Sequence, residues 1–187
     1  MKVIYPFILF MTLIFYATGQ DKENSGKYKL GEYFGGGIIF YLDQTGDHGL
    51  IASPVDQADY ARWGNIGFIN AMLMNEGDTN TKRIVRANKN QNPGNWSLYC
   101  AACICDSLNY QGFHDWYLPS INELKEMYNN QKMIGNFVAL DYCSSTEKDY
   151  KNCWAIHFMP TSTTVFSNVF SKRKNYPYFT VRCIRKF

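Results

Sequence analysis

Apolar and polar positions along this chain of 187 residues change period several times, and each change marks an element. Residues 38–43 (Ile-Ile-Phe-Tyr-Leu-Asp) form a nearly continuous apolar run of strand length. The following Gln44-Thr45-Gly46-Asp47-His48-Gly49 is turn chemistry, and Leu50-Ile51-Ala52-Ser53 returns as a second strand, which predicts a hairpin. Residues 64–96 are rich in Gly, Asn and Asp, with one short apolar patch at Phe68-Ile69. Within them, 88–95 reads as a long irregular segment, of the kind that often carries function. Leu98, Ala101, Cys105 and Leu108 then recur at 3-4-3 spacing and predict a helix over 97–109. Cys105 belongs to its inner stripe, while Cys100 and Cys103 lie off that stripe, one turn apart.

The stretch Asp115-Trp116-Tyr117-Leu118-Pro119-Ser120-Ile121-Asn122-Glu123-Leu124 is the most informative in the chain. Pro119 biases Leu118 toward extended geometry, so the strand-like run stops there. Ser120 and Glu123 match an S-x-x-E capping box, and Ile121, Leu124 and Tyr128 mark one helical face from 121 to about 131. Beyond it the pattern turns β: Trp154, Ile156 and Phe158 alternate, 163–170 is a strand candidate, 171–177 is a basic loop, and 178–185 is a closing strand. Phe179, Val181 and Cys183 share one face of that strand. A hairpin, long irregular loops, two helices and a β-rich end make an α+β fold with mixed antiparallel strands.

Composition sets the context. Met1-Lys2, an apolar run over 3–16 and Ala17-Thr18-Gly19 form a secretory signal peptide over 1–19. The run is too short to span a bilayer comfortably, so no stable membrane insertion is expected after cleavage. Residues 20–29 read as a polar linker and 30–187 as one aromatic-rich domain, with 14 Tyr, 13 Phe and 4 Trp in the chain. The product is expected to be secreted, periplasmic or held at the cell surface. Gly35-Gly36-Gly37 precedes a strand rather than following one, and no GK[ST] follows, which argues against a phosphate loop.

Charge is uneven. From Tyr150 to Phe187 there is no Asp or Glu, but Lys151, Lys172, Arg173, Lys174, Arg182, Arg185 and Lys186 are present. Such a face attracts polyanions, or is a solvated strand edge. Export argues against nucleic acid. The three histidines, His48, His114 and His157, form no recognisable triad or metal pair, and no G-x-S-x-G is present. Glu147 and Asp149 are the candidate ligands should calcium bind; no other cofactor is expected. Six cysteines allow 15 pairings. Cys100-x-x-Cys103-x-Cys105 also has soft-metal ligand chemistry, weakened by the divergent direction of Cys105 and by an oxidising compartment.

Taken together, residues 36–43, 48–52, Asp56-Gln57, Trp63, Asn80-Thr81, 105–124, Ser144-Ser145-Thr146-Glu147, Trp154-Ala155 and Val181-Arg182-Cys183-Ile184-Arg185 resemble the Lcl C-terminal domain family. This family is named for a Legionella collagen-like adhesin. The resemblance covers roughly 31–187, and Asp115, Trp116, Leu118, Pro119, Ser120 and Glu123 are its central motif. It implies a C-type lectin-like fold, loosely similar to the formylglycine-generating enzyme branch. It also implies a bridge from Cys105 to Cys183, which such folds commonly carry. The family often has an aromatic at the position of Cys143 and a small residue at that of Cys153. These two cysteines, ten apart and flanking a hairpin, suggest a second bridge, Cys143–Cys153. Cys100 and Cys103 are then left to pair within their helix or to stay free.

The implied function is non-enzymatic: an exported module binding an anionic or sulfated glycan, or another surface polymer. Lys172, Arg173 and Lys174 would supply charge, and Tyr176 and Tyr178 stacking. The alternatives are a surface protein as partner without a glycan, or an oxidoreductase of the formylglycine-generating type, which needs a reactive thiol pair or a metal. The oligomeric state is not legible.

Overall fold

The computed structural model describes residues 27–91, 100–159 and 168–187. The expected signal peptide over 1–19, residues 92–95 of the segment read as irregular and most of the 163–170 strand candidate lie outside the described residues. The described chain is α+β, built on two sheets and four helices.

The first sheet begins with β1 (Tyr33–Phe34), which turns through Gly35 and Gly36 into β2 (Gly37–Leu42). Both turn glycines have positive φ, 55° and 87°, the geometry a two-residue hairpin loop demands. Strand β3 (Gly49–Ala52) pairs antiparallel with β2, as the turn chemistry of 44–49 predicts. Next come β4 (Ala58–Ala61), α1 (Gly77–Gln91), α2 (Ala101–Asp106), α3 (Ile121–Asn129) and the short α4 (Gln131–Ile134). The chain ends in β5 (Asp141–Glu147), β6 (Asn152–His157), β7 (Val169–Arg173), β8 (Phe179–Val181) and β9 (Ile184–Lys186). Strand order is β1-β2-β3-β9 in the first sheet and β4-β8-β5-β6-β7 in the second. All pairings between these strands are antiparallel except β5 with β8.

Four predicted elements differ. Of the described part of the helix expected over 97–109, only Ala101–Asp106 is helical, and the described residues form four helices where two were expected. The Gly-, Asn- and Asp-rich stretch 64–96 contains α1, the longest helix among the described residues, and α1 runs through 88–91 of the segment read as irregular. Its buried face carries Asn80, Thr81 and Asn88 beside Ile84 and Val85, so polar residues conceal the apolar period. Each of the three makes a hydrogen bond that offsets its burial. Asn80 bonds both N–H and C=O of Leu73 (3.2 and 2.7 Å), Thr81 accepts from Leu118 N–H (3.0 Å), and Asn88 donates to Ile84 C=O (2.9 Å). The closing strand over 178–185 is in fact two strands, β8 and β9, in different sheets. Arg182 holds the crossing by donating to Asp56, to Ser53 C=O (3.0 Å) and to Asn136 C=O (2.7 Å). The basic loop over 171–177 is partly strand, since β7 runs through Lys172 and Arg173.

The capping box at Ser120 and Glu123 is present. Glu123 does more than cap α3. Its Oε2 accepts from Ser120 N–H (2.7 Å) and from Gly77 N–H at the start of α1 (3.0 Å), and its Oε1 accepts from the Tyr117 hydroxyl (3.0 Å). One carboxylate therefore ties two helix starts to the strand-like run before Pro119. Burial raises its pKa above the ordinary carboxylate value despite these donors.

Successive residues of β2 serve two different cores. Ile39 packs with Ile51, Trp63, Ile84, Leu118 and Val181, while Phe40 packs with Leu124, Tyr142, Phe158 and Ile184. Cover on both faces at Ile39 and Phe40 explains the apolar run there, while Tyr41 at its end is exposed.

Candidate recognition surface

The residues singled out for ligand binding are brought to one end of the second sheet, but they do not act together. Lys172 and Arg173 are consecutive in β7, so their side chains leave opposite faces. Lys172 pairs with Asp141, which also takes His157 Nδ1 at 2.7 Å, and its ammonium lies 3.8 Å from the Tyr176 ring centroid. Partial burial works against the charged lysine, but Asp141 and Tyr176 outweigh it and hold the Lys172 pKa above its usual value. Arg173 is exposed.

Lys174 is no surface residue at all, since it is 0% exposed. Its ammonium donates to Glu147 Oε1, to Gly67 C=O (2.5 Å) and to Tyr150 C=O (3.3 Å), and sits 4.8 Å from the Trp63 ring centroid. Glu147, equally buried, also accepts from Ile69 N–H (3.0 Å) and Ala71 N–H (3.2 Å). Both charges are thus compensated inside the protein, the condition under which a buried ion pair persists. Lys174 cannot contact a ligand; it fastens the loop around Gly67, the β5–β6 turn and the β7–β8 turn. Main-chain bonds repeat the connection: Gly67 N–H to Tyr150 C=O (3.0 Å), Trp63 N–H to Lys174 C=O (3.0 Å) and Lys174 N–H to Lys151 C=O (2.9 Å).

The outer side of this knot is aromatic. Phe68 and Tyr150, 65% and 53% exposed, face each other with centroids 6.3 Å apart. Tyr60 and Tyr178, 67% and 56% exposed, meet edge to face at 5.9 Å, and Tyr176 continues the row at 5.6 Å from Tyr178. Arg62, Lys148, Lys151 and Arg173 are exposed cations on the same loops and strands, Lys148 donating to Ser171 Oγ at 2.9 Å. Sequence reasoning found Tyr176 and Tyr178 but missed Tyr60 and Tyr150; the apolar Phe68-Ile69 patch inside a polar loop was the one signal available for Phe68.

The broad basic face does not form. Arg182 and Arg185 are buried with Lys174, Arg185 in a two-pronged bond to Asp115 (2.7 and 2.8 Å) and 4.0 Å over the Phe113 ring. The Arg185 guanidinium, against a smaller burial effect, holds the Asp115 pKa below the usual range. Lys186 pairs with Asp78 at 3.1 Å. The other motif residues are scaffold: Trp116 and Leu118 are buried, and Pro119 C=O accepts from Ser145 N–H at 2.7 Å.

The carboxylates weighed for calcium are committed elsewhere, Glu147 to Lys174 and Asp149 to the Asn152 side chain and the Lys151 N–H (2.8 Å). Among the described residues no group of three or more His, Cys, Asp and Glu converges as a metal site. Cys105 bonds to Cys183, and Cys100, at the N-cap of α2, bonds to Cys103. Cys100 and Cys103 are also buried, because the packing encloses more of α2 than its one stripe. Cys143 and Cys153, expected to pair, are two buried free thiols. Cys143 lies opposite Ala155 and Cys153 opposite Glu147, with an irregularity between the two positions, so the thiols meet diagonally as hydrogen-bonded neighbours without a disulfide between them. Burial pushes the Cys143 pKa upward, away from thiolate chemistry. No protein-family model matches the chain and no curated protein is similar to it, so the functional reading rests on the chemistry of this surface.

Proposed function

We propose that the protein is an exported, non-enzymatic binding module of the Lcl C-terminal, C-type lectin-like kind. Its ligand is an anionic or sulfated glycan, or a similar surface polymer. The observation that carries this reading is the set of exposed rings: Phe68 and Tyr150 on loops tied together by Lys174 and Glu147, and Tyr60 and Tyr178 where β4 meets β8. Rigid aromatic side chains present large contact faces at low entropic cost, and tyrosine adds a hydroxyl for polar groups. Arg173, Lys151 and Arg62 replace the Lys172-Arg173-Lys174 triplet as the source of attraction for acid groups. Export is supported by the amino-terminal charge and apolar pattern and by two disulfides. Among the described residues no helix is long and apolar enough to cross a membrane.

The test is binding of the protein to neutral and sulfated glycans at two salt concentrations. Salt-sensitive binding of acidic glycans, weakened roughly tenfold by a Tyr60→Ala, Tyr178→Ala double variant, is the expected result. Absence of any glycan binding overturns the glycan reading and moves the surface to a protein partner.

A further inference from the structure

Beside α3 and the β2–β3 hairpin, away from the residues of the aromatic loops, three concavities share walls. The central one encloses about 580 Å³. Tyr41 and Glu126 separate it from a second, of about 440 Å³, which begins at Tyr28 and Lys29. Lys186 separates it from a third, of about 250 Å³, bordered by Lys82 and Asp106. Concavities that share their dividing residues make one groove with three compartments, longer than a single small molecule requires.

The groove carries both signs of charge. Glu126 and Asp106 contribute carboxylates, and Lys29 and Lys82 contribute ammonium groups. None of these four forms a salt bridge with another described residue, although Lys82 helps to lower the Asp78 pKa across the third compartment, and Asp43 and Lys125 add one charge of each sign to the central one. A polyanion would meet Glu126 and Asp106, and a polycation would meet the lysines. A neutral glycan would cover four charges without pairing any, which costs free energy. An extended chain with both acidic and basic side chains satisfies all four, and the rings of Tyr28 and Tyr41 offer apolar faces between them. We propose that this groove is a second binding site, taking an extended peptide segment of mixed charge. It is independent of the aromatic loops and of any glycan bound there.

The test uses the full chain and fluorescence polarisation. The probes are a library of labelled decapeptides in which Glu, Lys and Tyr positions are permuted, compared with oligo-Glu, oligo-Lys and a neutral dextran oligomer. Mixed-charge peptides are expected to bind at least tenfold tighter than the three single-character probes, and more tightly than their own four-residue fragments. Lys29→Gln with Glu126→Gln, both at the protein surface, is expected to weaken binding roughly tenfold at unchanged melting temperature. The Tyr60→Ala, Tyr178→Ala variant is expected to bind these peptides as the parent does. Failure of every mixed-charge peptide to bind, equal binding of dextran, or loss of peptide binding in the tyrosine variant would each overturn the proposal.

Discussion

A lysine in a basic run can be a ligand contact or a buried fastener, and Lys174 is the second. Removing one member of a buried pair leaves the other charge uncompensated, so Lys174→Met is expected to cost about 3–5 kcal/mol in urea unfolding. Adding Glu147→Gln should recover part of that loss; no recovery would mean that the amides of Ile69 and Ala71, not the charge pair, hold the loops. Asp115 makes a pH prediction with a definite sign. Its folded pKa is lowered by Arg185, so its contribution is present above the ordinary 3.8 and lost as pH falls through the folded value. Melting temperatures from pH 2 to 7 should show the parent and Asp115→Asn converging at the acid end and separating above about pH 4. Glu123 has the opposite sign: its raised pKa contributes stability below the ordinary 4.5 that is lost as pH rises through the folded value.

At the scale of elements, α1 depends on how closely its first turn approaches α3. A β-carbon at Gly77 would stand 2.5 Å from Glu123 Oε2 and 2.6 Å from Leu118 C=O. Gly77→Ala is therefore expected to destabilise by roughly 1–3 kcal/mol, read as a lowered melting temperature, although alanine is the better helix former. The Cys105–Cys183 bridge joins α2 to the crossing between β8 and β9 over a separation of 78 residues. Replacing both cysteines by alanine should cost about 2–5 kcal/mol. Thiol titration of the unfolded, unreduced protein is expected to find two reactive groups, Cys143 and Cys153. A count near zero would mean that these two neighbouring thiols are bridged after all.

For the whole molecule, charge matters by where it is placed rather than by its total. The C-terminal cations from Lys172 onward are mostly consumed by acids from distant parts of the chain: Asp56, Asp78, Asp115, Asp141 and Glu147. Polyanion binding should accordingly respond to Arg173→Glu with a flatter salt dependence and no loss of folding. Lys174→Glu should unfold the protein instead, because two carboxylates would share one buried site. Circular dichroism alongside glycan binding separates the two effects.

The local pattern alone determined the β2–β3 hairpin, the capped start of α3, the inward face of Cys105 and the α+β class. Each depends on residues close in sequence, where turn chemistry, capping and periodicity act directly. Tertiary structure alone decided that polar 77–91 is a helix, because Asn80 and Thr81 find their partners in Leu73 and Leu118. It also decided that Cys143 and Cys153 are neighbouring free thiols rather than a bridge, and that Lys174, Arg182 and Arg185 turn inward. Burying a charge is tolerable only beside its counter-charge, and here each counter-charge lies 27 or more positions away. The tyrosine row follows the same logic: Tyr60 and Tyr178 become neighbours only when β4 pairs with β8.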